Sequence, residues 1–136
     1  MIAAELSEKE RIRINHISRL VVTAAMKVHS LLGAGLLESA YQVCLAQELR
    51  KQGLKVEREV ALPVTYEGVR LEVGYRLDLL VEDCVIVELK AVESLLPVHE
   101  AQLLSHLKVS GLHLGLLINF KVPHLKDGIK RLVNNF

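Results

Sequence analysis

An α/β layered domain spanning residues 1–136 is predicted by three observations. The chain opens with apolar residues at helical spacing. Its middle is rich in Val, Leu and Tyr and is punctuated by turn signals. After Pro97 helical texture returns, followed by another strand-like run. The order helix, helix, strands, helix, strand implies a sheet with helices packed on it. A length of 136 residues suits one domain with a single core.

Ser7 followed by Glu10 has capping-box spacing and predicts a helix start. Ile17, Leu20, Val21, Ala24, Ala25, Val28, Leu31 and Leu32 then form one apolar stripe, wide enough to serve the core or a partner. Gly33 and Gly35 end that helix. A second helix is expected from about Leu36 to Gln52, with Gly53 as its terminator. From Lys55 to Ala91 the chain reads as three or four antiparallel strands, turning at Glu67-Gly68 and Glu82-Asp83. Pro97 opens a further segment, helical from Val98 to Val109 and stopped by Gly111. Leu112 to Phe120 reads as a buried strand. The tail from Val122 fits a last strand or a short helix.

Composition narrows the function classes. With 51% hydrophobic and 24% charged residues, the chain has the make-up of a soluble globular protein. Mean hydropathy is +0.30, yet no apolar run reaches the roughly 18 residues of a membrane span. The charged stretch Met1 to Arg13 lacks a signal-peptide pattern, so a cytoplasmic location is expected, without membrane association. A net charge of +1 does not advertise a polyanion partner, although a metal site can supply local positive charge. Cys44 and Cys84 read as small buried hydrophobes.

The segment from Asp78 to Lys90 carries the chemistry. On a strand Glu88 and Lys90 share a face, while Val85, Val87 and Leu89 point the other way into a core. Charges in an apolar strand are costly unless paired or metal-bound. One reading is a Glu88–Lys90 pair at a strand end. The other brings in Asp78, in the apolar run one hairpin upstream. Two carboxylates on adjacent strands can hold one hard cation through oxygen ligands. Such a cation activates water and neutralises charge on a phosphate, and a neighbouring lysine can orient the water. Register decides between them. A two-residue turn at Glu82-Asp83 sets Val87 opposite Asp78. A three-residue loop, Glu82-Asp83-Cys84, or a bulge sets Glu88 there.

The pattern Asp-x9-Glu-x-Lys resembles the PD-(D/E)xK nuclease superfamily. Gly35-Leu-Leu-Glu38-Ser-Ala-Tyr41 is similar to the G-x-x-E-x-x-Y signature of the bacterial GxxExxY proteins, a branch of it. Met26-Lys-Val-His-Ser-Leu-Leu-Gly, Val87-Glu-Leu-Lys-Ala, Ala101-Gln-Leu-Leu-Ser-His-Leu-Lys and Leu117-Ile-Asn-Phe look like that family too. The resemblance implies a restriction-endonuclease-like core, a central mixed β-sheet flanked by helices, and a metal-dependent nuclease acting on DNA or RNA. It implies Asp78, Glu88 and the Leu89 carbonyl as ligands of Mg²⁺ or Mn²⁺, with Glu38 touching the metal's surroundings. Lys90 matches the catalytic lysine, and Gln102 a glutamine on the helix after the sheet. His106 stands where one branch has tyrosine. The alternative is a non-catalytic binding or assembly module on the same fold. A domain this small extends its substrate surface by pairing, which makes a homodimer a candidate assembly.

Other features carry less. Tyr41 shares a helix face with Glu38 and is expected to pack in the core with its hydroxyl satisfied. The six histidines include no H-x-x-x-H pair, which argues against zinc, and His29 reads as structural. Gly33-Ala-Gly35 is not followed by the Gly-Lys-Ser/Thr of a phosphate loop. Lys121, Lys126, Lys130 and Arg131 give the tail a basic character that could meet a nucleic-acid backbone. Aromatics, at 4%, offer no platform for stacked bases.

Overall fold

The structure, a computed structural model, describes residues 5–136. The expected domain's residues 1–4 lie outside the described residues. Two helices come first, α1 (Glu8–Leu32) and α2 (Glu38–Lys51). Three strands follow, β1 (Val56–Tyr66), β2 (Val69–Val81) and β3 (Val85–Lys90). Helix α3 (Pro97–Ser110) then leads to β4 (Leu114–Asn119), and a 3-10 turn (Leu125–Gly128) to β5 (Ile129–Val133). The tail is thus a strand entered through one helical turn.

The sheet is mixed, in the order β1-β2-β3-β4-β5. Only β3 and β4 run parallel, because α3 returns the chain between them. The other neighbours are antiparallel. The Glu67-Gly68 turn places both residues at positive φ, 49° and 80°, which suits a tight hairpin. β3 is central, and Val85 through Leu89 are all buried.

Helices α1 and α2 cover one face. Ile17, Val21, Ala25, Tyr41, Leu45 and Leu49 pack there against Leu79, Val81, Val87 and Leu89. Helix α3 covers the other, where Leu103 and Leu107 meet Leu77, Ile86 and Leu117. Ser7 caps α1 as its spacing predicts: its Oγ accepts the Glu10 N–H and its own N–H donates to Glu10 Oε1, each at 3.1 Å. The α1 stripe is shorter than expected, for Leu31 is 74% exposed and Leu32 also reaches the surface. Cys44 and Cys84 are free thiols and only half-buried, not fully buried as expected. No helix among the described residues is long and apolar enough to cross a membrane.

Candidate active site

The turn between α1 and α2 sets the first acid. Gly33 takes φ 76°, open to glycine, and closes the helix with its N–H on the His29 carbonyl. Tyr41 is fully buried and stacks on Phe120 with ring centroids 4.3 Å apart. Its hydroxyl donates to the Gly33 carbonyl at 2.6 Å and accepts the Leu36 N–H at 3.0 Å. Tyr41 is therefore a core residue with a satisfied hydroxyl, and it staples the turn that delivers Glu38. Glu38 is the first residue of α2, where the helix dipole favours a carboxylate.

The hairpin joining β2 to β3 has the three-residue form. Val81 pairs with Val85, Leu80 with Ile86 and Leu79 with Val87, leaving Glu82, Asp83 and Cys84 as the loop. Asp78 therefore stands opposite Glu88 by register. The ladder ends there, and the Leu89 N–H donates to Asp78 Oδ2 at 2.8 Å. Across β1, Arg58 pairs with Leu79 and Val60 with Leu77, so Glu59 is the residue beside Asp78. Glu59 has φ 53°, a left-handed conformation rare for a non-glycine residue. Alternation of faces breaks at this point: Leu79 joins the core under α1 and α2, and Leu77 the core under α3.

Glu88 is 7% exposed, and its Oε1 is hydrogen-bonded to His106 Nδ1 on α3. The Glu88–Lys90 pair considered from sequence does not form. Lys90 closes β3, and its carbonyl accepts the Phe120 N–H at 2.9 Å. Asn119 pins the segment that follows, accepting the Val92 N–H at 3.0 Å and donating to its carbonyl at 2.8 Å.

Electrostatics place four of the sequence-predicted residues in one neighbourhood. The Asp78 carboxyl is pushed up to about 6, first by burial, against the Leu89 N–H, and further by Glu88, Glu38 and Glu59. Glu38 is raised by burial, opposed by the Lys90 ammonium and reinforced by Glu59 and Glu88. Gln102 lies apart from this group. It is exposed on α3, in a groove of about 270 Å³ with His106, Tyr75 and Val98, and makes no hydrogen bond to the acids. Of the basic tail, Lys121 is paired with Glu93 at 2.7 Å, and Arg131 lies 5.1 Å over the Phe136 ring.

Two residues near the acids, Glu59 and Gln42, were not singled out from sequence. Glu59 accepts Gln42 Nε2 at 3.0 Å, and Gln42 Oε1 accepts Arg58 Nε at 3.1 Å. Gln42 could have been found, being four residues after Glu38 on the same helix face. Glu59 had no local signal, because only the β1–β2 register brings it beside Asp78. His99, whose Nδ1 accepts the Leu96 N–H at 3.0 Å, adds to the field on Glu38.

Oxygen donors suit a hard divalent cation, and among these groups the carboxylates outnumber the Lys90 ammonium. As the side chains stand, no group of three or more His, Cys, Asp or Glu among the described residues is arranged to hold a metal ion. Asp78 and Glu88 each spend one oxygen on an internal hydrogen bond.

A mixed sheet with helices on both faces and Asp, Glu and Lys at its centre defines a nuclease-like class of fold. The family model of the PD-(D/E)XK nuclease superfamily matches residues 15–132, and the chain belongs to that superfamily. No curated protein and no solved structure matches it.

Proposed function

We propose that the chain is a divalent-metal-dependent nuclease of the GxxExxY branch that hydrolyses phosphodiester bonds in nucleic acid. The supporting observation is the gathering of Glu38, Asp78, Glu88 and Lys90, from three elements, around an excess of buried carboxylate charge. Asp78, Glu88 and the Leu89 carbonyl would hold the cation, with Glu38 beside it. Held there, Mg²⁺ or Mn²⁺ would supply a lowered water pKa and positive charge against that developing on the phosphate. The Leu89 N–H steadies Asp78 and His106 steadies Glu88, so neither carboxylate swings freely. Lys90 orients the attacking water and offsets charge on the scissile phosphate. Gln102, placed in the groove beside His106, meets the substrate. Two copies of the chain would offer such sites to both strands of a duplex.

The test is cleavage of DNA and RNA with Mg²⁺ or Mn²⁺ by wild type, Glu88→Ala and Lys90→Ala. Loss of a catalytic side chain should slow cleavage by at least about 100-fold. Equal activity in all three would assign the cleavage to a contaminant or to another site.

One observation favours a second reading, a binding or assembly module. The two sheet acids are engaged internally, without a ready three-ligand arrangement. Calorimetric titration with Mn²⁺ separates the two. Affinity that vanishes in Asp78→Ala supports the enzyme, and an intact fold without affinity supports the module.

A further inference from the structure

Strands β1 and β2 extend beyond the part of the sheet that α3 covers. Leu62 pairs with Tyr75, Val64 with Leu71 and Tyr66 with Val69. Residues paired across an antiparallel ladder share a face, so these six side chains lie on one side of the ribbon. That side begins in the α3 core, at Leu62 and Leu77, and then runs out of cover. Tyr66 is 64% exposed, Val69 56%, Leu71 43% and Tyr75 54%; Val73, in the bulge between pairs, is 47% exposed. A two-stranded ribbon is marginal in water unless one face is packed.

We propose that this ribbon face is where two copies of the chain associate, face to face. The four exposed side chains that pairing sets on this face present roughly 400 Å² per copy, hence about 800 Å² over the pair, the size of a weak, reversible interface. The edge of β1 is blunted against strand pairing, because Pro63 offers no N–H and Glu59 is left-handed. A partner is therefore directed to the face. No Lys or Arg lies among the paired residues of that face, so it does not suit a phosphate backbone. Arg70 and Glu72 are already paired with each other at 2.9 Å. The Tyr75 ring lies 5.9 Å from that of His106, so the interface would border the groove that holds Gln102.

Light scattering of the full chain, without metal or nucleic acid, tests the surface independently of the nuclease reading. Wild type should approach twice the 15.2 kDa chain mass at high micromolar concentration. Leu71→Lys and Leu71→Glu should each weaken association by about 100-fold or more while melting as wild type does. Mixing the two should recover part of the association, because opposite charges then replace like charges within the shared face. Should Leu71→Lys unfold, Tyr66→Ser at the ribbon tip serves in its place. A monomeric wild type, or a dimer that survives these substitutions, overturns the proposal. So does a monomer whose nucleic-acid binding is lost in Leu71→Glu, which would make the face a substrate surface.

Discussion

Asp78 is held where burial and neighbouring carboxylates act in the same direction on its proton. Its folded pKa is about 6, against an ordinary value of 3.8. A carboxyl raised in this way gives the fold a stabilising contribution that is complete below the unfolded value. The contribution is lost as pH rises through about 6. Asp78→Asn keeps an oxygen for the Leu89 N–H and removes the ionisation. Without metal, its melting temperature should exceed that of wild type by a few degrees near pH 8 and by little near pH 4. Circular dichroism melts at the two pH values check this, and an equal offset at both would refute the assigned cause. Adding Mg²⁺ near pH 8 should stabilise wild type and leave Asp78→Asn almost unmoved. The pairing of Asp78 with Glu88 was legible as a choice between two loop lengths. Which neighbours would raise its pKa was not, because Glu38 and Glu59 arrive from α2 and β1.

Between elements, the decisive joint is the turn from α1 to α2. Tyr41 closes it with two hydrogen bonds from a single hydroxyl, while its ring stacks on Phe120 just past the end of β4. The Gly35 to Tyr41 spacing thus has a mechanical meaning. The tyrosine holds the glycine turn, and the turn aims the glutamate. Tyr41→Phe keeps the stack and removes both bonds, so unfolding by urea should show a loss of about 1 kcal/mol. Mn²⁺ binding should weaken with it as Glu38 loosens. An unchanged midpoint would mean that backbone contacts alone hold the turn. Helix boundaries here were readable because caps and terminators act within a few residues, as at Ser7 and Gly111. The bend in β1 was not, since Glu59 has no residue type that announces a left-handed conformation.

On the scale of the whole molecule, two cores lie on opposite faces of one sheet. Val85, Val87 and Leu89 point into one core and Ile86 into the other, so β3 belongs to both. Neither can dissolve while the other keeps its strand. We therefore propose one cooperative unit across the chain. Unfolding followed by backbone dichroism and by tyrosine fluorescence should coincide, and Leu45→Ala and Leu103→Ala should shift the same transition, each by about 2–5 kcal/mol. Two separated transitions would divide the chain into independent units. The exposed ribbon also belongs to this scale. Val69 and Leu71 read from sequence as ordinary strand residues, and only the reach of α3 decides that they stay exposed while Tyr75 borders the α3 groove.

The sequence by itself determined the kind and order of the elements as far as Phe120, the glycine turn before Glu38, and the acids and lysine on β2 and β3. Periodicity, caps and turn chemistry act over a few residues and are written locally. Tertiary structure alone decided that His106 rather than Lys90 would hold Glu88, that Glu59 would stand beside Asp78, and that Gln102 would face a groove apart from the acids. Those outcomes depend on strand register and on which face each helix covers, and no local stretch of chain encodes either one.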